Sequence, residues 1–384
     1  MPFANDRIEA QRREAELRGE AGAGERRHGD LESRLAARIV GQPAAVRAVA
    51  HAIELGRSGL GEPDRPLSCT LLVGPTGVGK TELVRQVASE IRTGRDDLCR
   101  IDMSSLAQEH YMASLSGAPP GYAGSREDFS LFDSGRVEGD FYTPGIVLFD
   151  ELEKAHTSVL RALLHVMDHG VLRLANGNRT IDFRNAHLFF TSNLGARELF
   201  TAERTPWGRA RAAIASARRR DGAGSGGTQR IVRRVLERRV DPEFLNRFDE
   251  IVCFDALDAD AGRAVAELEL AALTLRCARR GLTVVMAPEV AEVVYRAGFD
   301  RAYGARSVRR AVRSLVAVPI ARAAHDERGT AGTPLTIEVG RRSALVSDFP
   351  VQRAETRARA AQPPLPITLR VRVVRAARAG HDRG

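Results

Sequence analysis

From Ile39 to about Phe254 the chain alternates short apolar runs with segments whose apolar positions recur every three or four residues. Short apolar runs suit strands buried on both faces of a parallel sheet, and the periodic segments suit amphipathic helices that cover such a sheet. The pattern predicts strands near 70–73, 98–102, 146–149, 187–191 and 250–254. Helices are predicted over 42–55, 81–92, 156–169 and 229–239. In the segment 156–169, Val159, Leu160, Leu163, Leu164 and Met167 fall on one helical face. The expected class is α/β, with a mostly parallel five-stranded sheet between helices.

The chain divides into four expected segments. Residues 1–35 are charged and alanine-rich, an arm that is either helical or disordered; 36–255 hold the α/β domain. Residues 256–342 form a smaller, mainly helical unit with short strands at Leu282–Val285 and Pro334–Val339. Residues 343–384 are expected to be a basic, disordered tail, although Ile367–Val374 alternates like a strand. Asp221–Gly227 is rich in glycine and reads as a flexible loop.

Composition narrows the classes. The chain has 384 residues, a net charge of +9 and only 5% aromatic residues, so the core must be mostly aliphatic. No apolar run approaches the length of a membrane span, and the first residues lack a signal-type segment, so a cytoplasmic protein without membrane contact is expected. Cys69, Cys99, Cys253 and Cys277 have neither paired spacing nor nearby histidines, which favours reduced structural thiols over a zinc site. The positive charge raises nucleic acid as a partner only weakly, because much of the arginine is scattered through helices beside glutamate.

Only two of the 58 basic residues are lysine, Lys80 and Lys154. Lys80 closes Gly74-Pro75-Thr76-Gly77-Val78-Gly79-Lys80-Thr81, which fits a phosphate loop at every defined position. A predicted strand precedes the loop and a predicted helix follows it. Backbone N–H groups of such a loop turn inward around phosphate oxygens at a helix N-terminus. Lys80 would reach the β- and γ-phosphates of ATP, and Thr81 would give its hydroxyl to Mg²⁺. The other lysine follows Ile146-Val147-Leu148-Phe149-Asp150-Glu151, a strand ending in two acids. Carboxylates there emerge at the C-terminal edge of the sheet, where open α/β folds bind ligands. Asp150 suits Mg²⁺, directly or through its water, and Glu151 suits activation of the water that attacks the γ-phosphate.

These motifs, with Gly41-Gln42, Arg100-Ile101-Asp102-Met103-Ser104, Gly117–Tyr122, Phe149–His156, Thr191-Ser192-Asn193-Leu194-Gly195, Pro242–Arg247 and Gly304-Ala305-Arg306, resemble the Clp-type AAA+ protein unfoldases. The likeness is to the second ATPase module of ClpA- and ClpB-like proteins and covers about 39–340. It implies an AAA+ phosphate-loop domain with a helical C-terminal lid, ATP and Mg²⁺ as cofactors, and a homo-oligomeric ring, expected to be a hexamer, that threads protein substrates. It adds Ile39 and Val40 to the nucleotide site, Asn193 as a polar sensor near the attacking water, and Arg306 as a lid arginine facing the γ-phosphate. Arg247 matches the finger that enters a neighbouring subunit's ATP, a contribution worth about a thousandfold or more in rate. Tyr122, between Gly121 and Ala123, matches the aromatic of the first pore loop. Val171–Phe183, with a turn at Asn176-Gly177, resembles the hairpin that bears a second one.

The chain departs from that pattern after Gly124, where the usual glycine pair and Leu-Thr are missing and Ser125–Gly145 is a few residues longer than expected. One ATPase module is read instead of two, with neither a substrate-binding N-domain nor a coiled-coil middle domain. Between Asn193 and Pro242 the Ile/Leu-Gly-Phe/Leu tripeptide of ClpP-docking members is absent, so no ClpP partner is expected. Two other classes stay open: an ATPase that remodels nucleic-acid complexes, and a regulatory assembly switch that threads nothing.

Overall fold

The computed structural model describes residues 31–108, 131–140, 142–173, 180–195, 226–301, 303–327, 335–341 and 369–374. Tyr122, the Asn176-Gly177 turn, most of the glycine-rich loop and most of both ends lie outside these residues. The described chain forms two compact units that divide between Ala256 and Leu257.

The first unit is built on one parallel sheet of five strands: β1 Ser68–Val73, β2 Cys99–Asp102, β3 Gly145–Asp150, β6 Ala186–Ser192 and β7 Glu250–Cys253, in the order β2-β3-β6-β1-β7. Helices α1 Leu31–Ala36, α2 Pro43–Arg57, α3 Lys80–Ile91, α4 Ser134–Glu138, α5 Thr157–His169, α6 Gly226–Arg239 and α7 Pro242–Leu245 complete it. A short antiparallel hairpin joins β4 Val171–Arg173 to β5 Thr180–Asp182. The three central strands β3, β6 and β1 are buried along their whole length, which is why they read as continuous apolar runs. Phe149 stacks on Phe190 at 4.6 Å between ring centroids, and Phe244 and Phe248 meet Phe190 edge-on.

β1 starts two residues before its apolar run because a polar pair continues it. Ser68 sits opposite His187 in the β1–β6 register, and its hydroxyl shares a 2.8 Å hydrogen bond with His187 Nδ1. That pairing lets two polar side chains occupy the interior, where either alone would be unsatisfied. The segment after Gly124 also gains a structural account where it is described. Phe132 is buried edge-on against Phe149 and Phe183, and Asp133 caps α4 through the amides of Gly135 and Arg136. Gly145 packs so closely on α4 that a Cβ there would lie 1.8 Å from the carbonyl oxygen of Val137.

The second unit carries helices α8 Ala259–Ala278, α9 Glu289–Gly298, α10 Ala305–Val312 and α11 Val318–Glu327 beside a three-stranded sheet. In that sheet β8 Leu282–Met286 runs parallel to β9 Leu335–Arg341. Within the tail expected to be disordered, Leu369–Val374 instead forms β10, antiparallel to β9. Its period-two alternation explains the difference: Leu369 and Val371 share one face and pack on the core of this unit. No helix among the described residues is long and apolar enough to cross a membrane.

His187 gives the first unit a pH dependence. Complete burial, with the charge of Arg57 adding to it, lowers its pKa from the ordinary 6.5 to about 3. The unfolded chain therefore binds a proton near pH 6.5 that the folded chain refuses until about pH 3. Stability from this group is complete above pH 6.5 and is lost as pH falls, by about 1.4 kcal/mol per unit. His187→Leu should flatten the fall of the urea midpoint between pH 6 and 4, whatever it does at pH 8. An unchanged slope would contradict this.

Candidate functional site

The loop between β1 and α3 takes its shape from glycines with left-handed backbones. Gly77 has φ 80° and Gly79 φ 108°, and Gly79 is the residue from which α3 begins. Gly74 has φ 154°, and a Cβ on it would come within 2.6 Å of the carbonyl oxygen of Phe254, so the loop leaves the sheet against the chain that follows β7. Gln42 secures that same chain: its side-chain amide donates to Asp255 O at 2.9 Å and accepts from Asp255 N at 3.1 Å. Ile39, buried, and Val40, half-buried, lie in the turn that leads to Gln42 and α2. Sequence reading picked out Gly41-Gln42 without its partner, because nothing local announces a contact made 213 residues away.

Lys80 is buried although it carries a charge. Its ammonium donates to the carbonyls of Gly74 at 2.6 Å and Pro75 at 2.8 Å and to Asn193 Oδ1 at 2.9 Å. Thr76 also reaches Asn193 Oδ1, at 3.3 Å. Asn193 therefore stands at the C-terminal end of β6 directly across from the loop, and Glu153 holds its backbone amide at 3.1 Å. A compact ammonium with three rotatable donors fits this site, where a planar guanidinium would not.

Asp150 ends β3 beside the loop. Its Oδ1 accepts from Thr191 at 2.5 Å and from the Thr81 hydroxyl at 3.5 Å, and its Oδ2 accepts from Arg100 at 2.5 Å. The hydroxyl of Thr81 and the carboxylate of Asp150 are the hard oxygen donors that Mg²⁺ takes, close enough together to share one ion or its water shell. Glu151 follows with φ 62° and ψ 54°, the only non-glycine residue with a left-handed backbone among the described residues. Its amide donates to Thr191 Oγ1 at 3.1 Å. One threonine thus fixes both acids, its hydroxyl donating to one side chain and accepting from the next residue's backbone. The left-handed backbone turns the chain out of the β3 direction at Glu151. Asp102, one strand over, is kept below the usual carboxylate range by hydrogen bonds from Ser104, with Arg100 contributing.

Of the two arginines, Arg247 belongs to the first unit and Arg306 to the second. Arg247 follows α7, its Nε 3.1 Å from a carboxylate oxygen of Asp168, at the end of α5. Arg65 anchors the backbone there, donating to the carbonyls of Met167 and Arg247. Arg247 is thereby fixed within its own chain at a place away from its own phosphate loop. Arg306 is exposed on the first turn of α10 in the second unit. Arg100, Thr191 and Arg65 received no role from the sequence; the period-two exposure of β2, which turns Arg100 and Asp102 to one face, was the available signal.

Comparison with known proteins places the chain in a family. A family model described as AAA domain (Cdc48 subfamily) matches residues 65–251, and one described as the C-terminal, D2-small domain of ClpB protein matches 257–337. The chain is 52% identical over 308 residues to an ATP-dependent protease ATP-binding subunit-like protein of Rhodococcus erythropolis, covering 80% of this chain and 86% of that protein. It is 43% identical to the like-named protein AmiB of Pseudomonas aeruginosa, over 75% of this chain and 76% of that one. It is 37% identical to the chaperone protein ClpB of Meiothermus ruber, over 76% of this chain but only 32% of that protein.

The left-handed backbone at Glu151 is strain kept at the site, and a left-handed non-glycine residue costs about 1–2 kcal/mol. Glu151→Gly should raise stability by about 0.5–1 kcal/mol, after allowing for the greater freedom of glycine in the unfolded chain. Glu151→Gln, which keeps the Cβ, should stay within about 0.5 kcal/mol of the parent. Thermal or urea unfolding of the three proteins checks this, and a destabilised Glu151→Gly chain would contradict it.

Proposed function

The chain belongs to the Clp-type AAA+ ATPases and hydrolyses ATP, and from that premise we propose that it works as a ring, a hexamer, that remodels protein substrates by threading them through a central pore. The observation that carries this reading is the order of the two modules, an AAA domain followed by a ClpB-type small domain over 65–337.

Each residue in the site has a part in the proposal. The loop amides and Lys80 hold the phosphates, and the hydrogen bond from Lys80 to Asn193 supports the reading of Asn193 as the polar sensor. Bound Mg²⁺ would neutralise charge developing on the phosphates, and Thr81 and Asp150 are the residues to hold it. Glu151 accepts the proton of the attacking water, and the hydrogen bond from its backbone amide to Thr191 supports this role by fixing the chain beside Asp150. Ile39 and Val40 line the nucleotide from the turn before α2. Arg247, fixed away from its own loop by Asp168 and Arg65, serves the ATP of a neighbouring subunit. Arg306 senses the γ-phosphate from the small domain, and Tyr122 grips the substrate chain.

The names of two relatives mention a protease, which favours a second reading in which the ring feeds a peptidase. The missing docking tripeptide weighs against ClpP as that partner. ATP-dependent co-elution with ClpP would decide for the second reading.

The experiment measures ATP turnover alone, with casein-like unfolded protein, and with duplex DNA. Stimulation by unfolded protein is expected. Stimulation by DNA, steeply lost with added salt, would instead favour a nucleic-acid remodeller, and ATP-dependent assembly with neither response would favour a regulatory switch. Tyr122→Ala should keep turnover and assembly but lose unfolding of a tagged substrate, whereas Tyr122→Phe should keep much of it. Equal unfolding by the parent and Tyr122→Ala would contradict the pore assignment.

The trans role of Arg247 has its own test. Arg247→Ala and Glu151→Gln chains are each expected to be nearly inactive, and mixing them should restore turnover through interfaces that pair an intact finger with an intact Glu151. A mixture no more active than its parts would remove the trans role.

A further inference from the structure

Asp150 is a carboxylate with a side chain only 12% exposed, and its nearest charge is a guanidinium. Arg100 Nη2 lies 2.5 Å from Asp150 Oδ2, on the oxygen that neither Thr191 nor Thr81 occupies. The two residues come from neighbouring strands. In the β2–β3 register Asp102 is the partner of Asp150 and Arg100 lies two residues back, so the arginine reaches forward along the sheet edge to meet the carboxylate. Its own side chain is 55% exposed, so it can turn to solvent when another cation competes for the oxygen.

We propose that Arg100 is the resident counter-ion of Asp150, and that a divalent cation arriving with the nucleotide must take Asp150 from it. This rests on the reading that Asp150 and Thr81 hold that cation. An ionised carboxylate this far from water needs a partner in every state of the site. Between nucleotides Arg100 supplies it without the ion, which keeps the Asp150 carboxylate in place. The same positive charge opposes a second cation on the same carboxylate, so Arg100 raises the free Mg²⁺ needed for tight nucleotide binding. Arg100 acts on the ion through Asp150 and is a positioning residue.

The test follows binding, not turnover. A fluorescent, non-hydrolysable ATP analogue is titrated onto the full chain at a series of free Mg²⁺ concentrations and in EDTA. Arg100→Ala should lower the half-saturating free Mg²⁺ by about 3- to 10-fold, as expected for losing a partly exposed charge next to the ion site, and should leave affinity in EDTA unchanged. Arg100→Lys, which keeps the charge, should stay near the parent. Should Arg100→Ala fail to fold, Arg100→Gln carries the same expectation. An unchanged or higher Mg²⁺ requirement would overturn the proposal, and so would weakened binding in EDTA, which would put Arg100 on the phosphates. Asp150→Asn separates the two levels: if it leaves the Mg²⁺ dependence untouched, the assignment of Asp150 to the ion fails irrespective of Arg100.

Discussion

The parallel pairing of β3 between β2 and β6 is the constraint on which the site depends. It brings the end of each strand to one edge, so that Asp102, Asp150 and the residues after Phe190 emerge together. The pairing is held from inside by Phe149 stacked on Phe190, with Phe132 and Phe183 closing around it. Removing a ring of that size from a close-packed core costs about 3–5 kcal/mol, and a shift of one strand would also reverse the faces on which its side chains lie. The chemistry at the edge is therefore set by packing beneath it.

Polar contacts then convert a sheet edge into a site. Thr191 fixes two consecutive acids at once, Asn193 and two loop carbonyls share the Lys80 ammonium, and Gln42 secures the backbone against which Gly74 leaves the sheet. Each of these groups would be costly if left unpaired in the interior. Among the described residues strain is kept at one non-glycine position, the left-handed Glu151, whose amide donates to Thr191. A site held this way is preorganised before any ligand arrives.

Much of the fold was legible in the sequence, because strands buried on both faces have no polar alternation to confuse them. All five strands of the main sheet and the helices after them fall where periodicity put them, within a few residues. The misses have a common cause. Ser68 extends β1 only because His187 faces it from a strand more than a hundred residues away, and Arg100 meets Asp150 only through the register of two parallel strands. Parallel partners are distant in sequence, so periodicity gives each strand and not its alignment with the next. Leu369–Val374 shows the converse: its alternation was visible, and composition of the surrounding tail obscured it. In the site, Gly74–Thr81, Asp150, Glu151 and Asn193 were readable as motifs, whereas the residues that orient them were not.

The central claim is that Lys80, Thr81, Asp150, Glu151 and Asn193 form one ATP site with divided labour. Equilibrium binding of radiolabelled ATP, measured beside turnover on the same preparations, tests it most directly. The account predicts that Lys80→Ala loses binding, and that Glu151→Gln binds ATP like the parent while turnover nearly stops. Parent-like hydrolysis by Glu151→Gln, or undiminished ATP binding by Lys80→Ala, would contradict it.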